Sequence, residues 1–122
     1  MIGYVTLGTN NLQKAAPFYD AIAKEFGGTR TMEMGDGFIA WGSGAGPMVS
    51  LIKPYDGKAA TVGNGVMVGL AASSKEQVDR VHATALANGG TCEGPPGQRM
   101  DGFYAAYFRD TEGNKLNAFY MG

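Results

Sequence analysis

Few side chains in this sequence could move a proton or hold a metal, and they are scattered. There is one histidine, His82, and one cysteine, Cys92. His82 follows Val81 in a stretch with helical spacing, so a partly exposed helix residue is expected there rather than a ligand. The Cys92 thiol could act as a nucleophile, but nothing near it in sequence lowers its pKa and no second histidine is available to pair with it. A packed cysteine is expected. Glu33, Asp36, Asp101, Asp110 and Glu112 mostly neighbour glycines in turns, which reads as solvated turn chemistry. Arg109 beside Asp110 fits a brace for the last hairpin, with anion binding as the alternative. No Ser-His-Asp set, phosphate loop or dinucleotide fingerprint occurs.

The elements that carry these residues come in duplicate. From Gly65 to Thr91 the chain reads as strand, cap, helix and double-glycine stop. Val66, Met67, Val68 and Leu70 make the strand. Ser73 and Glu76 have capping-box spacing. Val78, Val81, Ala85 and Leu86 recur at helical period, and Gly89-Gly90 supplies a left-handed exit. The N-terminal half repeats this: a strand over 2–8, Asn10 and Gln13 at cap spacing, a helix over about 12–26, then Gly27-Gly28-Thr29. Pro17 within that helix predicts a kink or a loosened first turn. Strands follow at 30–34, 38–42 and 48–53 in the first half, and at 91–93, 104–109 and 115–120 in the second. Gly94-Pro95-Pro96-Gly97 should end the strand at 91–93, because such a run cannot lie in a central strand. Met34-Gly35-Asp36-Gly37-Phe38 is echoed by Met100-Asp101-Gly102-Phe103. Asp110 to Asn114 is a hairpin turn. The chain is thus α+β, two tandem βαβββ modules: module one over about 1–53, a loop over about 54–64, and module two over about 65–122. That loop is long enough to be a lid or partner contact, with a plain linker the simpler expectation.

A length of 122 residues allows one domain with one core. Net charge is −1, which implies neither nucleic acid nor an anionic membrane as partner. No apolar run approaches the roughly 20 residues of a membrane span, and no signal peptide is expected. A single cysteine excludes an internal disulfide and fits a reducing cytoplasm.

Several ordered pieces carry a family resemblance: Asn11-Leu12 followed by Phe18-Tyr19-Asp20, Gly63-Asn64-Gly65 before the fifth strand, the Ala-Asn-Gly-Gly helix end, and Phe108-Arg109-Asp110-Thr111-Glu112-Gly113-Asn114-Lys115 before the last strand. Together, on the duplicated pattern, the chain resembles the glyoxalase / bleomycin-resistance / extradiol-dioxygenase superfamily, the vicinal oxygen chelate fold. The resemblance spans nearly the whole chain. It implies an incomplete, barrel-like mixed sheet with a cleft inside it, and a homodimer.

Metal-dependent members of that family typically take four ligands, usually His then Glu, from the first and last strands of each module. Carried onto this sequence, those positions are Tyr4, Ser50, Met67 and Asn117. Zinc, nickel, iron and manganese sites use imidazole, carboxylate or thiolate. A phenol, a hydroxyl, a thioether and an amide do not offset a divalent charge. No metal and no other cofactor is expected. Period-two alternation puts Tyr4, Thr6, Ser50, Met67, Gly69 and Asn117 on the cleft side, with Trp41, Phe108 and Phe119 as neighbours. Such a neutral, mixed lining suits a small neutral or aromatic ligand. The expectation is metal-independent binding of a small molecule. The alternatives are a metal-independent lyase- or isomerase-type enzyme with a tyrosine such as Tyr4 as acid, or a dimeric module whose cleft its own side chains fill.

Overall fold

The computed structural model describes all 122 residues. Module one runs β1 (Tyr4–Gly8), α1 (Leu12–Glu25), β2 (Thr29–Met34), β3 (Phe38–Gly42) and β4 (Met48–Ile52). Module two repeats the order with β5 (Val68–Ala71), α2 (Lys75–Ala87), β6 (Thr91–Met100), β7 (Phe103–Arg109) and β8 (Lys115–Tyr120). Each module closes its own four-stranded sheet, in the orders β1-β4-β3-β2 and β5-β8-β7-β6. The first and last strands of each module pair in parallel; the rest are antiparallel. The barrel-like sheet is thus two open halves, and β1 and β5 are edge strands that do not pair with each other.

The helix caps lie one residue later than the sequence suggests. Asn11, not Asn10, caps α1 and accepts from the Lys14 amide at 3.1 Å. Asn10 is otherwise engaged: its side chain exchanges two hydrogen bonds with the Ala60 backbone and so pins the inter-module loop. Ser74, not Ser73, caps α2, because the Gln77 side chain accepts from the Ser73 amide at 2.7 Å and closes the box with the wrong neighbour for Glu76. The α1 helix runs unbroken through Pro17, whose ring lies on the exposed face.

The two double-glycine exits follow one rule. Gly27 and Gly89 have φ of +72° and +94°. Their successors need the absence of a side chain: a Cβ on Gly28 would meet the Gly42 carbonyl oxygen at 2.9 Å, and one on Gly90 the Arg109 carbonyl oxygen at 2.7 Å. Two strands differ from expectation. β5 starts at Val68, which pairs with Leu116 of β8, and Val66 and Met67 lie before it. β6 runs ten residues through Gly94-Pro95-Pro96-Gly97. It is the sheet edge, so a proline needs to donate nowhere, and three register shifts absorb the irregularity.

Each helix covers one face of its own sheet, and the helices pack on each other. A single cluster of 17 buried residues spans both modules, with Phe18, Leu51, Val78, Val81, Phe108 and Leu116 fully buried. Polar clamps lock this helix layer at both ends. At one, the Glu25 carbonyl and carboxylate accept from Gln77 and Thr84 of α2. At the other, Asp110 is buried and accepts from the Tyr19 hydroxyl at 2.6 Å, from the Asn114 side chain at 3.0 Å, and from the amides of Glu112 and Asn114. The Glu112 carboxylate takes the Thr9 hydroxyl and the Asn10 and Asn11 amides at the start of α1, where the helix dipole favours negative charge. The expectation of solvated turn carboxylates therefore fails for Asp110 and Glu112, because the β7–β8 turn folds onto the other module. It holds for Asp36 and Asp101, which are exposed in turns; Glu33 is exposed but lies in β2, where it pairs with Arg30.

Asp110→Ala would orphan both the Tyr19 hydroxyl and the Asn114 side chain, and should cost about 3 kcal/mol in urea unfolding. Asp101→Asn, in an exposed turn, should stay within about 0.5 kcal/mol of the parent. Equal effects from the two would contradict the clamp.

Candidate ligand cleft

Strand register decides which residues share a face. Tyr4 and Thr6 of β1 pair with Met48 and Ser50 of β4, and Ser50 pairs with Ala40 of β3. These residues lie on the face turned away from the helices, with Phe38 of β3 and Met32 and Met34 of β2. Tyr4, Thr6, Met32 and Met34 are exposed there, while Ser50 is fully buried. The first face is thus soft and apolar, with one hydroxyl at its centre. The Ser50 Oγ has no hydrogen-bond partner.

The outward face of the second sheet has a different chemistry. Gly69 of β5 pairs with Asn117 of β8, which pairs with Tyr107 of β7. Asn117 is 2% exposed and its Oδ1 has no partner. Phe119 stacks on Phe103 with ring centres 5.8 Å apart. Next to Asn117 and Tyr107, the same face carries Lys115, Arg109 and, from β6, Arg99. The neutral lining expected from sequence therefore lacks three cations. Arg109 braces the hairpin through the Gly113 carbonyl at 2.8 Å and pairs with Glu93, whose carboxyl it holds below the usual range.

The sequence-derived set divides accordingly. Tyr4, Thr6 and Ser50 come together on one sheet; Asn117 and Phe119 come together on the other, with Met67 just before β5. Trp41 and Phe108 lie on the opposite, helix-facing side. Trp41 pairs with Val49 and Phe108 with Leu116, one residue out of phase with Ser50 and Asn117. Both are buried. Trp41 stacks on Tyr19 at 5.2 Å and donates to Asp20 at 2.8 Å, and Phe108 packs on Phe18. Tyr107 and Lys115 were findable, since the turn at 110–114 sets their pairing with Asn117 and Arg109. Nothing in the sequence marks Arg99.

Between the open edges of β1 and β5 lies an apolar groove of about 580 Å³. Ile2, Val5 and Trp41 line it from module one, Ile22 and Phe26 from α1, and Val66 to Ala71 from module two. Met67 and Gly69 reach it from the outward face of the second sheet.

His82 and Cys92 are brought together, against expectation. His82 is buried, and its Nε2 lies 3.2 Å from Sγ of the exposed Cys92. The pair joins α2 to β6 across the Gly89-Gly90 exit, a contact that sequence spacing does not show.

The Glyoxalase/Bleomycin resistance protein/Dioxygenase superfamily model matches residues 1–118. The chain belongs to this superfamily. Among solved structures, a glyoxalase/bleomycin resistance protein from Albidiferax ferrireducens T118 is 39% identical, over 100% of this chain and 99% of that one, with a TM-score of 0.92. Lactoylglutathione lyase from Agrobacterium tumefaciens shares the fold at 21% identity, over 98% and 92% of the two chains, with a TM-score of 0.72. Hypothetical protein SA1046 from S. aureus does so at 24% identity, over 98% and 96%, with a TM-score of 0.71. No curated protein matches the chain.

The donor types of Tyr4, Ser50, Met67 and Asn117, the positions to which the resemblance carries a metal, are a poor fit to a divalent cation. Tyr4 and Ser50 share one sheet and Asn117 lies on the other, as ligands drawn from both modules would. The donors are a phenol, a hydroxyl, a thioether and an amide, and a buried hydroxyl and amide oxygen offer no countercharge. No group of three or more His, Cys, Asp or Glu side chains assembles elsewhere.

Burial holds the His82 imidazole below its ordinary range, against a weaker opposite pull from Asp79. The unfolded chain thus binds a proton here more readily than the folded one. Stability should fall as pH drops below about 6.5, the unfolded value. Because His82 is the only histidine, urea unfolding of His82→Gln between about pH 5 and pH 7 should lose that slope. A slope unchanged in the variant would show that His82 is not its source.

Proposed function

We propose that this superfamily member binds a small aromatic ligand without a metal, in a cleft completed by a second copy of the chain. The observation that carries the reading is that two of the three buried side-chain polar atoms without a partner, Thr111 Oγ1 being the third, lie at the centres of the two outward faces. Ser50 Oγ and Asn117 Oδ1 are each buried at the centre of an outward sheet face, and neither has a partner. A buried polar atom without a partner costs roughly 1–3 kcal/mol. A ligand that donates to Asn117 and exchanges a hydrogen bond with Ser50 would recover that cost, while Tyr4, Met48 and Phe119 offer surface for its ring.

Assembly follows from the open edges. The two outward faces belong to separate sheets, and β1 and β5 each leave one side unpaired beside the apolar groove. A second copy that lays its β5 along β1, and its β1 along β5, would join face one to face two twice and cover both grooves. No carboxylate or imidazole shares the face of Tyr4, which favours binding over acid–base catalysis. A single thiol and the absence of a helix long and apolar enough to cross a membrane are consistent with a cytoplasmic protein.

A thermal-shift panel of aromatic compounds tests the reading. A ligand at a hundredfold excess over its Kd adds about 2.7 kcal/mol, a rise in Tm on the order of 10 °C. Ser50→Ala should keep the unliganded Tm, since its hydroxyl has no partner to lose, and should lessen the shift. A broad panel at millimolar concentration with no shift would overturn the proposal. Sedimentation should show a dimer at micromolar concentration; a monomer would remove the second copy from the account.

A further inference from the structure

We infer that His82 and Cys92 form an activated thiol pair and that Cys92 is a modification site: a hydroperoxide oxidises its thiol to a sulfenic acid, His82 carries the proton, and a small thiol from solution then caps the sulfur as a mixed disulfide. The site stands apart from the ligand cleft, whose groove neither residue lines.

The first observation is the place given to the imidazole. Helix α2 buries Val78, Val81, His82 and Ala85. The valines and the alanine only pack. His82 puts a ring with two nitrogens into the same stripe, 8% exposed. Burying a polar ring costs free energy unless it is hydrogen-bonded. The ring's side-chain contact is Nε2 to Cys92 Sγ, at 3.2 Å. A thiol is a weak hydrogen-bond partner, so stability alone does not account for an imidazole here.

The second observation is access. Cys92 is exposed, and β6 is the outer strand of its sheet, so a reagent reaches the sulfur from the sheet edge. An open nucleophile with a base in hydrogen-bond reach is the arrangement of an activated thiol. A hydroperoxide is small enough to need no pocket.

The third observation is the electrostatic setting. Burial holds the imidazole below its ordinary range, which leaves it neutral and able to accept. In the tautomer protonated at Nδ1, Nε2 accepts the thiol hydrogen. Asp79 of α2 is the charge that opposes this, and the Tyr104 hydroxyl of β7 donates to it at 2.6 Å. Glu93 of β6 is taken by Arg109, and Glu25 of α1 by Arg80. The side chain that β8 turns to this layer is the phenol of Tyr120.

As the sulfur attacks, an S–O bond forms and the O–O bond breaks. Sulfur loses two electrons and the peroxide gains them. The thiol proton passes to Nε2 and from there to the departing oxygen, which leaves as water or an alcohol. Cys92 is the only cysteine, so the sulfenic acid has no internal thiol to condense with. A small thiol from solution makes the S–S bond, and the sulfenic oxygen leaves as water.

The test follows oxidation of the full chain by hydrogen peroxide, with dimedone capture and intact mass, beside N-acetylcysteine. At about pH 7 Cys92 should react at least about tenfold faster than the free thiol. The ratio should shrink toward one at about pH 9, above the ordinary thiol pKa of about 8.5, where the free thiol ionises unaided. His82→Gln should lose the advantage at the lower pH and keep the rate at the higher. Glutathione added after the peroxide should give a mixed disulfide that Cys92→Ser does not form. A ratio near one at about pH 7, or one that does not change up to about pH 9, overturns the pair. Both are read on the unsubstituted chain and need no variant to fold. An unchanged rate in folded His82→Gln overturns the proton role, and a sulfenic acid that persists in glutathione overturns the capping step.

Discussion

One buried carboxylate sets the relation between the two halves of the molecule. Asp110 collects four donors, and three of them belong to its own hairpin, so it braces the β7–β8 turn as well as joining it to module one. The fourth is the Tyr19 hydroxyl of α1. Burial and then the Asp110 charge keep that phenol protonated, well above the ordinary tyrosine range, so it always donates. From there contacts continue through Trp41, stacked on Tyr19, to Asp20 and Arg30 at the start of β2. The Arg30 guanidinium holds the Asp20 carboxyl below its usual range. A relay of aromatic and charged groups thus ties the last hairpin of module two to the first sheet.

That lock fixes what faces outward. With both helices held in one layer, each sheet presents its other side to solvent, and there the duplicated modules diverge. The helix-facing halves are near copies: the same cap chemistry, the same glycine exits, the same alternation of buried apolar residues. The outward faces share only a central, unpartnered polar side chain, Ser50 in one and Asn117 in the other. Around Ser50 stand methionines and a tyrosine; around Asn117 stand aromatic rings and cations. A cleft made by bringing one face of each kind together would have a soft apolar wall and a charged aromatic wall.

Much of this was legible in the sequence, because it is local. The repeat, the helices, the hairpins and the parity of Tyr4, Thr6, Ser50 and Asn117 depend on residues within a few positions of one another. The caps missed by one residue because Asn10 and Ser73 were already committed to the Ala60 backbone and the Gln77 side chain. What the sequence hid depends on distant partners. Asp110 reads as a turn residue until Tyr19, 91 positions away, is laid over it. Trp41 and Phe108 fall on the helix side because register, not composition, assigns a face. Pro95 and Pro96 sit within β6 because that strand is an edge, a fact of topology. Arg99 reaches Tyr107 only because irregular register bends β6 beneath it.

The cleft proposed here would hold an organic ligand through neutral donors such as Ser50 and Asn117, and not through a metal. Elemental analysis of the purified, untagged protein, with calorimetric titration of zinc, nickel, manganese and iron, tests it most directly. The account predicts substoichiometric metal and no tight binding of any of the four. One tightly held metal per chain, lost on changing Ser50 and Asn117 together, would contradict it and make those positions metal ligands.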